Sequence, residues 1–175
     1  MSKIIKTELE ELFKSEDSIG IVYKSDEYND EAAYLPDGNQ MGNCTNCAKY
    51  VISSVGRGEI YGFLVEHNPI THEMINISGG HDFAIIDERY IVDPWISLYT
   101  GHETQTVYDM QLEKDHEKIT EIYGNPSNWK HFDQTKSKFT DQSATSSVLN
   151  FNSDSLNHYR SHHDLKSPIN KTGLK

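Results

Sequence analysis

Cysteine and long apolar runs are both scarce in this sequence, and each scarcity excludes a class of protein. The 175 residues contain two cysteines, Cys44 and Cys47, which cannot build a disulfide framework and favour a reducing compartment. A membrane-spanning helix needs about 20 apolar residues in succession, and no stretch approaches that length, so we expect no membrane partner. Residues 1–14 lack the apolar segment of a signal peptide, so we expect any export to proceed without a cleaved signal.

Basic residues are also few. The net charge of −11 disfavours nucleic acid as a partner, since phosphate binding depends on Lys and Arg. The charge is uneven, because residues 136–175 carry about +3 and the remainder about −14. An acidic body favours a protein partner with a basic surface. Hydrophobic residues make up 35% of the chain, which suits one modest core, and we expect a monomer.

The pattern of apolar residues divides the chain into three segments. Residues 1–37 are predicted to form a helix over 3–14 and a strand over 18–24. Residues 38–134 carry most of the regular patterns and are predicted to be the folded core. Residues 135–175 are rich in Ser, Asn, Lys and His and poor in apolar side chains, so we predict a disordered tail.

The core pattern begins with a helix. Asn43 is a suitable cap, an apolar stripe at helical spacing follows it, and Gly56 ends it. The remaining predicted elements are strands at 60–65, 74–77, 96–99 and 104–108, a hairpin within 79–95, a helix from an Asp109 cap to Gly124, and Trp129 and Phe132 folded back onto the body. A helix packed on an antiparallel sheet makes the predicted class α+β.

The stretch 79–95 carries two titratable residues at matching places. Its two short strands are joined by a polar turn at 87–89, and Pro94 ends the second strand because proline cannot donate to a sheet. His81 begins the first strand and Asp93 ends the second, so a hairpin brings them side by side. A carboxylate beside an imidazole orients the ring and stabilises its cation.

A cysteine upstream supplies a nucleophile for this pair. The thiolate is the reactive form of cysteine, and both a helix N-terminus and a neighbouring imidazolium favour it. Cys44 lies where the first core helix begins, and His81 would be the imidazolium. The oxyanion formed on attack would be held by the Cys44 backbone N–H and by a side-chain amide, for which the candidates are Asn39, Gln40 and Asn43.

Cys47 is the alternative nucleophile. If Cys44 is at the helix tip, the residues 3, 4, 7 and 8 positions later anchor the helix in the core and are all apolar: Cys47, Ala48, Val51 and Ile52. The residues at the same distances from Cys47 form a less apolar stripe: Tyr50, Val51, Ser54 and Val55. Cys47 would also lie a full turn inside the helix, where the effect of the helix dipole fades. The pattern therefore favours Cys44 and assigns Cys47 to core packing, but it leaves the choice of thiol open.

Three motifs together resemble the papain-fold toxins and effectors of bacteria, which include glutamine deamidases delivered into host cells. They are Gly-x-Cys at the start of a helix (42–44), Gly-Gly-His-x-Phe on a strand (79–83) and Tyr-x-Val-Asp-Pro-Trp on the next (90–95). The stretch 107–129, with its helix and Trp129, also looks like the part that closes such domains. The resemblance covers about residues 38–132.

The resemblance implies a papain-like fold for residues 38–134, with an N-terminal nucleophile helix packed on an antiparallel sheet. It implies a catalytic triad of Cys44, His81 and Asp93, with no metal or organic cofactor. The implied reaction is deamidation of a glutamine side chain in a host protein, through a thioester. The protein would then be an effector that acts in the host cytosol.

Other functions fit the same residues. A cysteine protease or a transglutaminase-type acyltransferase would use the same triad, and a catalytically silent binding module would use none of it. Zinc would need Cys44 and Cys47 together with other ligands, taken from His67, His72 and His81. A thioredoxin-like redox role lacks its βαβ context. Both thiols would be inert if they were simply buried, and Asp93 would then serve only as a cap.

Overall fold

The computed structural model describes residues 4–24, 43–134 and 138–143. The helices are α1 (Lys6–Leu12), α2 (Ser15–Lys24), α3 (Asn43–Val55), α4 (Glu73–Ser78), α5 (Pro94–Tyr99) and α6 (Glu113–Tyr123), with a 3-10 turn at Pro126–Asn128. The strands are β1 (Glu59–Leu64), β2 (Gly80–Ile86), β3 (Tyr90–Val92), β4 (Val107–Asp109), β5 (Lys130–Asp133) and β6 (Lys138–Ser143).

The strands form one antiparallel sheet in the order β4-β3-β2-β1-β5-β6. The predicted α+β class is therefore confirmed. β1 and β2 pair along their whole length, from Glu59 with Ile85 to Leu64 with Gly80. The last pair between β2 and β3 is Ala84 with Val92. The first residues of β2 therefore continue past the end of β3, and this opening is where the candidate site lies.

Both faces of β2, at the centre of the sheet, are buried. Side chains alternate along each strand, so one face of β2 presents Phe83 and Ile85 while the other presents Ala84 and Ile86. The first face packs against apolar residues of α6 and the chain after it, namely Ile119, Ile122, Tyr123 and Trp129. The second packs against residues of α1 and α3 and the turn after α1, namely Leu9, Phe13, Ala48 and Val51. Double burial explains why β2 and β3 read as continuous apolar runs.

The predicted nucleophile helix and the predicted hairpin are both present. α3 begins at Asn43, so the residue predicted to cap this helix is its first residue instead. β2 and β3 are joined by a turn in which Asp87 and Glu88 have φ values of 54° and 52°, a backbone region uncommon outside glycine. The Arg57 guanidinium binds both oxygens of the Asp87 carboxylate at 2.5 and 2.9 Å, which supports this turn.

Three predicted strands are helices instead. The segment 18–24 belongs to α2, where Ile19 and Val22 are buried three residues apart, as helical rather than strand spacing requires. The segment 74–77 belongs to α4, which the His72 side chain caps by accepting a hydrogen bond from the Met74 N–H. The segment 96–99 belongs to α5, because Pro94 occupies its first position and an N-terminal proline starts a helix.

The end of the core differs from the prediction in detail. The strand predicted at 104–108 is β4, at Val107–Asp109. Asp109 does not cap α6, which begins at Glu113, because its carboxylate is bound by the Arg89 guanidinium at 2.9 and 2.6 Å. Trp129 and Phe132 are buried as predicted, and Phe132 lies in a strand that was not predicted.

The predicted tail is not wholly without structure, because β6 lies inside it and pairs with β5. The rest of that tail, 135–137 and 144–175, lies outside the described residues, as do 1–3 and 25–42. Asn39 and Gln40, two of the predicted oxyanion donors, fall in 25–42. Within the part of the chain that the structure describes, no helix is long and apolar enough to cross a membrane.

Asn68 holds the end of α6 in place. It is buried, and its Nδ2 donates to the Tyr123 backbone oxygen at 2.8 Å. Its Oδ1 accepts from the Asn125 N–H at 3.0 Å and from Nδ2 of Asn128 at 3.3 Å. Gly124 lies against this amide, and a side chain there would overlap it. One side chain thus ties the loop after β1 to the turn that follows α6.

We expect Asn68→Ala to lower the free energy of unfolding by about 2 kcal/mol, because it removes the acceptor of the Asn125 N–H and one of the two donors to the Tyr123 oxygen, the other being Nε1 of Trp129. Asn128→Ala is the matched control, since it removes only the longer contact, and we expect a loss below about 1 kcal/mol. Urea denaturation followed by tryptophan fluorescence measures both. Equal losses in the two variants would contradict the bracing role of Asn68.

Candidate active site

His81 and Asp93 meet as the sequence predicts. Nε2 of His81 lies 2.6 Å from Oδ2 of Asp93 and donates to it. Each residue is only 2% exposed. His81 comes from the part of β2 that extends past β3, and Asp93 directly follows β3, so the open end of the hairpin sets their separation.

Asp93 accepts two further hydrogen bonds. The Ile96 N–H donates to Oδ1 at 3.1 Å, because Asp93 is the N-cap of α5. The Tyr123 hydroxyl donates to Oδ2 at 3.0 Å, the same oxygen that His81 binds. Asp93 therefore caps a helix and also pairs with the imidazole. Burial raises the pKa of Tyr123, so its phenol stays protonated and remains a donor.

Aromatic side chains enclose the imidazole. The ring of Trp95 lies 4.9 Å from the ring of His81, and the ring of Tyr123 stacks on it at 6.0 Å with an interplanar angle of 17°. Phe83 lies at 6.1 Å. These rings exclude water, and a low local dielectric strengthens the interaction between His81 and Asp93.

The pKa of His81 is raised to about 10. Burial alone would lower it, because desolvation disfavours the cation. The charge and hydrogen bond of Asp93 outweigh that effect, and an interaction with the Cys44 side chain raises the pKa further. His81 is therefore an imidazolium at neutral pH, between a carboxylate and a thiol.

The second ring nitrogen of His81 is the one left to meet the thiol. Nε2 is taken by Asp93, and Nδ1 is buried with no hydrogen-bond partner among the described residues. Cys44 is the second residue of α3 and is half-buried. The structure thus brings the N-terminal turn of α3 toward the His81–Asp93 pair, and the Cys44 side chain contributes to the raised pKa of His81.

Cys47 lies in a different environment. It is 1% exposed and belongs to the hydrophobic core, with Ile19, Val22 and Trp95 in the same cluster. Burial raises the pKa of the Cys47 thiol, and the charges of Asp93 and Cys44 raise it further. Buried cysteines of this kind are inert. Of the two thiols, Cys44 is the more exposed to solvent.

The other predicted residues lie in several places. Asn43 is the first residue of α3 and is half-buried. His67 is exposed beside Glu66, and His72 caps α4. Residues 4–24, 43–134 and 138–143 contain no group of three or more His, Cys, Asp or Glu that could hold a metal ion.

Three residues near the site were missed by sequence analysis. Tyr123 was counted only as an apolar residue of α6, and the sequence holds no sign that its hydroxyl reaches Asp93. Thr45 and Asp82 directly follow Cys44 and His81, and the Thr45 hydroxyl donates to Asp82. Their positions next to the two predicted catalytic residues were the signal that could have identified them.

The raised pKa of His81 predicts how stability depends on pH. Its folded-state pKa of about 10 lies above the ordinary value of 6.5, so the folded protein binds the proton more tightly. The stabilisation is fully present below pH 6.5 and is lost as the pH rises toward 10. We therefore expect the difference in free energy of unfolding between wild type and His81→Gln to shrink over that range.

Urea denaturation of both proteins at several pH values measures this difference, and groups that titrate equally in both proteins cancel. A difference that stays constant, or that grows with pH, would contradict a buried imidazolium at this position.

No protein-family model, curated protein or solved structure matches the chain. The function of the protein must therefore be inferred from the geometry of the site itself and from its sequence motifs.

Proposed function

We propose that the chain is a cysteine-dependent hydrolase with a papain-like core, and that it deamidates a glutamine side chain of a protein. Cys44 is the nucleophile, His81 is the general acid and base, and Asp93 orients His81. The observation that carries the proposal is that the two ring nitrogens of His81 have different surroundings. One nitrogen is bound to Asp93 at 2.6 Å, and the other is buried without a partner among the described residues, beside a helix that begins with Asn43 and Cys44.

In the first half of the reaction, Cys44 reacts as a thiolate paired with the His81 imidazolium, and its sulfur attacks the carboxamide carbon. A carbon–sulfur bond forms, and the carbonyl electrons move onto oxygen, where the backbone N–H of Cys44 at the start of α3 would stabilise them. The carbon–nitrogen bond then breaks. The His81 imidazolium gives its Nδ1 proton to the departing nitrogen, so that ammonia leaves and a thioester remains.

In the second half, water attacks the thioester. His81 is now neutral at Nδ1 and takes the proton from the water, while Asp93 and Tyr123 keep the ring in place. The carbon–sulfur bond breaks and the Cys44 thiolate returns. The balance is one carboxamide and one water converted to one carboxylate and one ammonium ion, so the reaction consumes no reductant or oxidant.

The sequence motifs are the reason for proposing a glutamine side-chain amide, rather than a peptide bond, as the group that reacts. A thiol, an imidazolium and a carboxylate support acyl transfer in general, and a protease or a transglutaminase-type enzyme would use the same steps with another leaving group or acceptor. The resemblance to bacterial glutamine deamidases selects a side-chain carboxamide. It also makes a host cytosolic protein the proposed substrate, and the acidic body favours one with a basic surface.

Mass spectrometry of a cell lysate treated with the purified protein tests the proposal. We expect one or more glutamines to gain the mass difference between a carboxamide and a carboxylate. Cys44→Ala should lower the rate by at least about 10³-fold, as loss of a catalytic nucleophile does. Cys47→Ala is the matched control three residues away, and we expect it to keep activity because its thiol is buried.

Other outcomes identify other functions. Cleaved chains would indicate a protease, and amine adducts on glutamine would indicate an acyltransferase. Equal effects of wild type and Cys44→Ala would remove the enzyme proposal and leave a binding module. Loss of activity in Cys47→Ala alone would move the nucleophile to Cys47.

A further inference from the structure

Two neighbouring pairs of residues link α3 to β2. Cys44 and Thr45 are consecutive in the first turn of α3, and His81 and Asp82 are consecutive in β2. The Thr45 hydroxyl donates to Oδ2 of Asp82, and both side chains are buried. Side chains alternate along a strand, so Asp82 points to the sheet face opposite to His81. The bond thus fixes α3 to β2 one residue away from Cys44 and His81.

The sheet makes room for this bond. Gly62 of β1 is the partner of Asp82, and a side chain at that position would overlap the Asp82 carboxylate and would lie 2.6 Å from the His81 backbone oxygen. β3 has already ended, with Val92 opposite Ala84, so nothing from β3 pairs with Asp82. The first turn of α3 can therefore approach β2 closely at this point.

Burying a carboxylate costs free energy, and the proposed reaction steps do not use the carboxylate of Asp82. Burial raises the pKa of the Asp82 carboxyl, while the Thr45 hydrogen bond and the charges of His81 and Lys49 act in the opposite direction. Valine at 45 and leucine at 82 would fill similar space without that cost. Packing alone therefore does not explain why polar residues occupy positions 45 and 82.

We propose that Thr45 and Asp82 are positioning residues that hold Cys44 against His81. The proposal rests on the proposed function, because it assumes that Cys44 reacts with the help of His81. Neither Thr45 nor Asp82 takes part in the proposed reaction steps. They fix the register between the helix and the strand that carry the two reacting groups, and an error of about 1 Å in such a distance can cost a factor of about 100.

The rate of alkylation of Cys44 by iodoacetamide at pH 6.5 tests the proposal in the full chain. Mapping the modified peptide by mass spectrometry separates Cys44 from Cys47. Thr45→Val keeps the shape of the side chain and removes the hydroxyl, and we expect it to slow alkylation by about tenfold or more. Thr45→Ser restores the hydroxyl and should react within about threefold of wild type.

Thr45→Val leaves the Asp82 carboxyl buried without its donor and so lowers stability. The double variant Thr45→Val/Asp82→Leu removes both polar groups, keeps a fully apolar contact and should be better folded, yet it should be as slow as Thr45→Val. Circular dichroism confirms that each variant is folded before its rate is measured.

The outcomes separate this proposal from the proposed function. If wild-type Cys44 reacts no faster than a cysteine in an unfolded peptide, or no faster than Cys44 in His81→Gln, the proposed function fails. If wild-type Cys44 is activated and a folded Thr45→Val or double variant reacts at the same rate, only the positioning role is overturned. A Thr45→Ser variant as slow as Thr45→Val would also overturn it.

Discussion

The hydrogen bond between His81 and Asp93 is the interaction on which the rest of the site depends. Two charges buried at 2.6 Å attract each other strongly, but removing them from water costs several kcal/mol per ion. The Asp93 carboxylate is further stabilised by hydrogen bonds from Ile96 and Tyr123, whereas Nδ1 of His81 has no hydrogen-bond partner among the described residues. A buried ion pair seldom adds stability over apolar residues of the same size. The proposed reaction accounts for the presence of this pair better than stability does.

The surrounding elements are arranged as this pair requires. β3 ends at Val92, opposite Ala84, so the first residues of β2 have no neighbour from β3. This leaves space for the first turn of α3 beside His81. α5 starts at Pro94, so its first turn supplies a backbone donor to Asp93. α6 ends at Tyr123, and Asn68 fixes that end by binding the Tyr123 backbone oxygen. α3, α5 and α6 each approach the His81–Asp93 pair with one end of the helix, where a backbone N–H or a terminal side chain is available.

The sequence predicted the pair but not what supports it. The hairpin was recognisable because strand patterns flank a polar turn, and His81 and Asp93 stand at its ends. α5 was misread because Asp93-Pro94 stops a strand as well as it starts a helix, and α2 was misread because Ile19, Ile21 and Val22 form a short β-like cluster. The hydroxyl of Tyr123 could not be assigned, since its contact with Asp93 spans 30 residues and depends on tertiary packing. The order of the two thiols by burial was predicted, because the apolar stripe of α3 placed Cys47 in the core and Cys44 at the helix tip.

The protonation of His81 tests the central claim most directly. Nitrogen-15 NMR of histidine-labelled protein at pH 7.5, with His81→Gln to assign the signals, reports both ring nitrogens. The structure predicts that Nε2 and Nδ1 of His81 both carry protons, and that the ring loses one only as the pH approaches about 10. A neutral ring at pH 7.5, titrating near its ordinary value of 6.5, would contradict the imidazolium on which the proposed chemistry depends.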